Sequence, residues 1–447
     1  MRVYDVVHGY QPFTRELVSD WVAPNLQKIF LPTSKAMAEG LVRRSVQLQG
    51  WTIDAWLSAP KEISSPAATV LSNLRCAKKK NNIEFGFSSY GHALLPLLGE
   101  RLTYASMLAD YETVKTRLAE PTFFWFPENA VDATRLRILH ERFTGKIAVI
   151  PSGSVGGMKT AFLKLTGLGA PRKAKPGSRV PSHYGCESPL KEGVGPDSMP
   201  AALANTLVKD VLMNSTVYEK PGYVPPALDW GKAKKSMRDG KELSHTLSVL
   251  DPGQEHLIVR DWENGESRDS LRHIGDKADV SAMMDPDVEY RLLSEAEYAG
   301  PFSIKDVRPS CWEPYSTPAN PYPYWAPTNM DGWKTKAKDY WLEILSIYER
   351  GFDAAVGEGG LDSVDDAFRN KGFNALFKRT SPALLSCLPW HLFARPEWER
   401  FPEFPRQLLE KIVLPYTTEM LAYAGQEREV DWLIKTVKNF INTISLK

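Results

Sequence analysis

Glu128 stands directly after a run of aromatic residues. The preceding residues 121–127 read Pro-Thr-Phe-Phe-Trp-Phe-Pro, a strand-like segment that ends in an aromatic wall. Aromatic faces stack on sugar rings, and a carboxylate can attack an anomeric carbon. The pattern therefore indicates chemistry on a sugar ring. Its structural alternative is a buried strand followed by a Glu that caps a helix.

Three further segments with chemistry-bearing residues each follow a short apolar run. They are residues 8–12, 90–98 and 260–266, and they contain His8, His92 and Asp261. In a parallel barrel the C-terminal ends of the strands share one face, and that face holds the active site. If the apolar runs are strands, one face gathers two histidines, several tryptophans and at least two carboxylates.

Strands that alternate with helices would position these segments. The apolar runs predict strands at 3–7, 83–87, 123–126, 146–151 and 257–259. Residues 41–57 are predicted to be helical, with Val46, Trp51 and Ile53 as apolar surface. This alternation favours an α/β fold with a mainly parallel sheet or barrel.

Two stretches differ from this pattern. Residues 152–226 are rich in Gly, Pro, Ser and Lys, and we interpret them as a long insertion with partial order. From Gly332 onward the apolar residues follow a 3–4 spacing, as at Trp341, Ile344 and Leu345. This spacing predicts a helical region at about 331–447.

Composition excludes several classes of function. The 447 residues carry a formal net charge of +1, which gives no electrostatic footprint for nucleic acid or an anionic membrane. No apolar run is long enough to span a bilayer, and the first residues read as a strand and not as a signal peptide, so we expect a cytoplasmic protein. The four cysteines lie far apart, which indicates neither a zinc site nor a disulfide framework.

The ordered set of four segments resembles glycoside hydrolase family 57. That family opens with a motif similar to His-x-His-Gln-Pro and continues with Gly-His-x-x-x-Pro-Leu-Leu. Trp-x-Pro-Glu then carries the nucleophile, and Asp-Gly-Glu-Asn carries the acid/base. The matching positions here are His8, Gln11, Pro12, His92, Pro96, Leu97, Leu98, Glu128, Asp261, Glu263 and Asn264. The sequence departs from the family at Tyr10, where many members have a second His, and at Trp262, where they usually have Gly.

The resemblance implies an incomplete (β/α)7-type barrel with a C-terminal helical region. The catalytic barrel would span residues 1–330, with the insertion at about 152–226, and the helical domain would span 331–447. The implied activity is a retaining double displacement on α-linked glucans, with Glu128 as the nucleophile and Asp261 as the acid/base. The residues expected to bind the oligo- or polysaccharide substrate are His8, Gln11, His92, Trp125, Trp262, Glu263, Asn264, Trp312 and Trp325. No cofactor and no metal ion are expected.

Several site assignments keep an alternative. Glu263 or Glu266 could replace Asp261 as the acid, and the histidines could be hydrogen-bonded core residues. The aromatic, proline-rich segments around Trp312 and Trp325 fit either stacking platforms for a polysaccharide or a packed connector to the helical region.

The function keeps alternatives as well. The same machinery serves hydrolases, 4-α-glucanotransferases and branching enzymes, since the acceptor decides the reaction. A non-catalytic carbohydrate-binding protein is a further possibility. The segment 153–160 resembles a phosphate-binding loop, but Met158 stands where that loop needs Gly. A metal-dependent polysaccharide deacetylase would need a His pair and an Asp at a spacing that this sequence does not show.

Overall fold

The computed structural model describes most of the sheet and the C-terminal helices. The described residues are 2–10, 22–151, 201–204, 255–262, 287–296, 304, 307–311, 319–328, 330, 332–393 and 403–445.

A parallel sheet forms the centre of the molecule. Its strands are β1 (Arg2–Gly9), β2 (Arg44–Leu48), β3 (Ile83–Phe87), β4 (Phe123–Trp125), β5 (Ile147–Pro151), β6 (Ala201–Ala204), β7 (Glu255–Asp261) and β8 (Glu289–Arg291). The strand order is β6-β5-β4-β3-β2-β1-β7, and β8 pairs with β1 beside this path. Every pairing is parallel. The incomplete (β/α)7-type barrel that the sequence predicts is confirmed.

Helices connect the strands and continue to the C-terminal part of the chain. In the barrel part they are α1 (Val22–Asn25), α2 (Leu31–Glu39), α3 (Gly50–Ser58), α4 (Lys61–Lys79), α5 (Glu100–Arg117) and α6 (Ala133–Arg142), with a π-helical turn at Leu26–Phe30. In the C-terminal part they are α7 (Trp333–Val356), α8 (Leu361–Arg369), α9 (Lys371–Thr380), α10 (Cys387–Phe393), α11 (Glu403–Leu408), α12 (Leu414–Tyr423) and α13 (Glu427–Ser445), with a π-helical turn at Leu409–Val413.

The C-terminal helical region is confirmed by its packing. The predicted 3–4 stripe on α7 is buried at Trp341, Ile344, Leu345 and Tyr348. Helix α7 packs with this side against α12 and α13. In the part of the chain that the structure describes, no helix has the length and apolarity needed to cross a bilayer.

Strand β2 corrects the sequence-based expectation of a helix over 41–57. Residues 44–48 form a strand with all five side chains buried, and the helix begins only at Gly50. The strand contains Arg44, Ser45 and Gln47, so it lacks the continuous apolar run of a typical buried parallel strand. The buried Arg44 is instead paired with Asp5 of β1, with 3.1 Å between Nε and Oδ2.

Strand register places the candidate residues at one end of the sheet. His8 on β1 is level with Gln47 on β2 and with Asp261 on β7. Strand β6 lies within the predicted insertion 152–226, and the rest of that insertion lies outside the described residues.

Candidate active site

Glu128 occupies a tight turn at the end of β4. The turn spans Pro127–Asn129, and the backbone at Glu128 is left-handed, with φ 56° and ψ 21°. Asn129 is left-handed as well, with φ 47°. Non-glycine residues rarely adopt this conformation, and such strain is concentrated at functional sites. In the described residues only Asn81 and His92 also show a positive φ outside glycine, so three of four such positions lie here.

His92 faces the carboxylate of Glu128. Its Nε2 atom lies 3.3 Å from Glu128 Oε1. The His92 side chain is almost fully buried, whereas that of Glu128 is 20% exposed. The adjacent Gly91 has φ +81°, and a Cβ there would lie 2.9 Å from the carbonyl oxygen of Ser381, so this loop is pressed against the C-terminal helical region. Glu128 is therefore accessible to a ligand, whereas the loop that carries His92 packs against the C-terminal helical region.

Ser386 brings the C-terminal helical region into the same site. Its hydroxyl donates to Glu128 Oε1 at 3.2 Å, and its backbone N–H donates to the carbonyl of His92 at 3.0 Å. An isolated antiparallel bridge between Ala93 and Leu385 reinforces this junction. Ser386 cannot be identified from the sequence, because a single serine far from the four segments carries no recognisable motif.

A cluster of aromatic rings surrounds His92. His8 packs edge-on against Trp125 with 4.0 Å between ring centroids, and it lies 5.1 Å from the ring of His92. Tyr10 stacks on His92 at 4.0 Å with an interplanar angle of 12°. The Sγ atom of Cys387 lies 3.6 Å from the Tyr10 hydroxyl oxygen. The departure from the family motif at Tyr10 thus preserves a flat ring beside His92.

Two glutamines of the β2 end contact these histidines. The Oε1 atom of Gln47 lies against Nδ1 of His8, and Oε1 of Gln49 lies 3.1 Å from Nδ1 of His92. The amide nitrogen of Gln49 donates to the carbonyl of Ser89. Neither glutamine could be identified from the sequence, because residues 41–57 are predicted there to form one helix.

Asp110 of α5 lies behind this layer and is fully buried. Its carboxylate accepts hydrogen bonds from the backbone N–H of Gly50 at 2.6 Å and of Ser88 at 2.7 Å. Burial raises the pKa of Asp110 to about 7, against the lowering effect of these two bonds. The carboxylate therefore ties the end of β2 to the end of β3.

Asp261 ends strand β7 at the same edge of the sheet. Its backbone is level with His8, and the N–H of Trp262 donates to the carbonyl of His8 at 2.6 Å. The side chain of Asp261 lies outside the described part of the structure. The predicted residues Gln11, Glu263, Asn264 and Trp312 also lie outside it, as does Glu266.

The three described tryptophans of the prediction occupy different surroundings. Trp125 contacts His8, and its buried indole N–H has no acceptor among the described residues. Trp262 packs against Phe30 at 4.7 Å, and its indole N–H donates to Thr33. Trp325 is fully buried in a small cluster beneath the site, with Leu94, Ala130, Cys311 and Tyr322. The structure brings Trp125 together with the histidines, whereas substrate stacking on Trp262 and Trp325 stays a prediction.

Comparison with known proteins identifies the fold. No family model matches the chain, and no curated protein matches it in sequence. The branching enzyme of glycoside hydrolase family 57 from Thermococcus kodakaraensis, solved with glucose, aligns over 99% of this chain and 95% of its own, with 13% identity and a TM-score of 0.59. The family 57-type branching enzyme of Pyrococcus horikoshii aligns over 99% and 94%, with 13% identity and a TM-score of 0.53. The chain has the fold of family 57 enzymes, as the four motifs predict.

Proposed function

We propose that this protein acts on α-linked glucans by a retaining double displacement, with Glu128 as the nucleophile and Asp261 as the acid/base. The observation that carries the proposal is the setting of Glu128. It is a partly exposed carboxylate on a strained turn at a strand end, held by His92 and Ser386. A barrel of this kind has its chemistry at the C-terminal strand ends.

The contacts of Glu128 suit a nucleophile. Two side chains of buried residues, His92 and Ser386, converge on the same oxygen, Oε1, and fix the orientation of the carboxylate. A positioned carboxylate reaches an anomeric carbon without the entropy cost of ordering a mobile side chain. The tight turn at 127–129, with its left-handed backbone at Glu128, limits the position further.

The backbone position of Asp261 supports its assignment as the acid/base. It ends β7, level with His8, so its backbone lies at the edge of the sheet that also carries Glu128. In retaining enzymes the two carboxyl groups are about 5–5.5 Å apart, one on each side of the glycosidic bond.

The steps follow from these roles. As Glu128 forms a bond to the anomeric carbon, the glycosidic C–O bond breaks and the leaving oxygen takes a proton from Asp261. An acceptor hydroxyl then gives its proton to Asp261, attacks the anomeric carbon and releases the Glu128 carboxylate. Trp125 is buried against His8 and supports the position of that histidine beside this path.

Transglycosylation is the second candidate, because both aligned structures named above are branching enzymes. Water as the acceptor would give hydrolysis, and a glucan hydroxyl would give transfer. We also assign residues 1–330 to the catalytic barrel and 331–447 to the helical domain. Ser386 then makes the helical domain a contributor to the active site.

Product analysis tests the proposal. The protein is incubated with amylose, pullulan, glycogen and short maltooligosaccharides, and products are resolved by chain length and linkage. New reducing ends indicate hydrolysis, new chain lengths without new reducing ends indicate transfer, and new α-1,6 linkages indicate branching. Absence of any product at high protein concentration would refute catalysis and leave a carbohydrate-binding protein.

A matched pair of variants tests the nucleophile. Glu128→Gln is expected to abolish turnover and retain glucan binding, because the amide keeps the shape and loses nucleophilicity. Glu141→Gln changes an exposed glutamate on α6 and is expected to leave turnover unchanged. With Glu128→Ala and an activated α-glucoside, added azide should restore turnover with inverted product. Full activity of Glu128→Gln would refute the assignment.

A further inference from the structure

Gln49 has only one orientation that satisfies both of its neighbours. The carbonyl oxygen of Ser89 can only accept a hydrogen bond, so the amide nitrogen of Gln49 must face it. The amide oxygen of Gln49 then faces Nδ1 of His92, at 3.1 Å. Because an amide oxygen can only accept, Nδ1 of His92 must carry a proton.

This tautomer has a consequence for the pair that His92 forms with Glu128. With a proton on Nδ1, a neutral imidazole presents the lone pair of Nε2 to Oε1 of Glu128, 3.3 Å away. Two lone pairs repel at that distance, so a second proton must lie between the two atoms. The pair therefore carries one proton more than a neutral histidine and an ionised glutamate would.

We infer that Gln49 is a positioning residue that fixes His92 as an Nδ1–H donor and thereby places a shared proton between His92 Nε2 and Glu128 Oε1. With the proton on Nε2, the nucleophile is an ionised carboxylate beside an imidazolium. That positive charge stabilises the carboxylate when Glu128 leaves the glycosyl intermediate in the second displacement. The inference deepens the proposed function and rests on it for this role.

Asp110 supports the arrangement in which Gln49 orients His92. Its two carboxylate oxygens accept from Gly50 and Ser88, the residues next to Gln49 and Ser89. The carboxylate thus fixes the separation of the two strand ends across which the Gln49–Ser89 hydrogen bond forms. The path from Asp110 to Glu128 consists of buried polar groups with defined donors and acceptors.

The chain contains a matched control. Gln47 contacts Nδ1 of His8 in the same way that Gln49 contacts His92, and it also lies at the end of β2. The amide nitrogen of Gln47, however, has no acceptor among the described residues. In the described part of the chain no carbonyl fixes the orientation of the Gln47 amide, so Gln47 does not determine the tautomer of His8.

Nitrogen NMR of the histidine rings measures the tautomer without turnover. The full-length protein is labelled with ¹⁵N-histidine, and the His92 signals are assigned by their loss in His92→Gln. In Glu128→Gln, the single proton of a neutral His92 ring is expected on Nδ1, the minor tautomer of free histidine. In the wild type the shared proton should add the signal of a second protonated ring nitrogen.

Variants of the two glutamines distinguish a specific effect of Gln49 on the His92 tautomer from a general effect on packing. Added to Glu128→Gln, Gln49→Leu should shift His92 toward the Nε2–H tautomer, while Gln47→Leu should leave His92 as Nδ1–H. If Gln49→Leu does not fold, Glu128→Gln alone decides the question. An Nε2–H tautomer of His92 in Glu128→Gln would overturn the inference. The expected tautomer in a protein that forms no glucan product would uphold it and refute the proposed function alone.

Discussion

Asp110 is predicted to make the protein less stable as pH rises. Burial raises the pKa of Asp110 from 3.8 to about 7, so the folded state binds a proton that the unfolded chain has already released. The stabilisation is fully present below pH 3.8 and is lost as pH rises through about 7. Asp54 on α3 raises the pKa, whereas Lys378 on α9 and the two backbone N–H donors lower it. Tyr90 also faces this group and is neutral throughout the range, because burial raises its own pKa well above 10.0.

The magnitude follows from the size of the shift. A pKa change from 3.8 to about 7 corresponds to roughly 4 kcal/mol of unfolding free energy over the whole transition. Integrated between pH 5 and 8, where folded protein is easily handled, the loss is about 2.5 kcal/mol.

Urea denaturation at several pH values measures this loss. Unfolding free energies of the wild type and of Asp110→Asn are compared between pH 5 and 8, and the difference between the two proteins isolates Asp110. Asp110→Asn should be less stable at pH 5, because one amide N–H then faces a backbone donor, and its stability should depend less on pH. A difference that stays constant with pH, or that changes in favour of the wild type as pH rises, would refute the reasoning.

Three further variants test the site and the sheet. Asp261→Asn should spare glycosides with good leaving groups more than natural glucans, since the former need less acid assistance; equal loss in kcat on both would point to another acid. Ser386→Ala should lower kcat about tenfold to a hundredfold with KM little changed, because this factor corresponds to the loss of one hydrogen bond to a charged group. Steady-state kinetics, with thermal stability shown to be unchanged, would measure the effect, and an unchanged kcat would contradict the positioning role. Gly86→Ala places a Cβ 2.2 Å from the ring of Phe123 and should destabilise the fold by about 1–3 kcal/mol, measured by thermal unfolding. The control Gly360→Ala, whose Cβ would have no atom within 4 Å, should leave the stability nearly unchanged.

The sequence predicts the parts of the fold that repeat a simple pattern. Apolar runs followed by polar residues located β1, β3, β4 and β5 and predicted that their ends share an edge. The prediction fails at β2, because its buried polar residues find partners on neighbouring strands, as Arg44 does with Asp5. No local pattern reports a partner that lies on another strand.

The candidate site likewise contains residues that the sequence predicts and residues that it does not. His8, His92 and Glu128 stand in motifs, and the structure brings them together. Gln49 and Ser386 stand in no motif, because a lone polar residue gains its role only through contacts with distant parts of the chain. Ser386 is 258 positions from the carboxylate that it contacts. Such residues are found from coordinates and not from spacing.

The position of β1 between β2 and β7 has a consequence for the newly synthesised chain. Strand β1 ends at residue 9, but its partner β7 begins only at residue 255. At about 5–20 residues per second, a ribosome needs roughly 12–50 s to make the intervening segment. During that interval one side of β1 presents unpaired backbone groups, which are a template for wrong pairing. Until β7 emerges, that side of β1 is open to pairing with other strands.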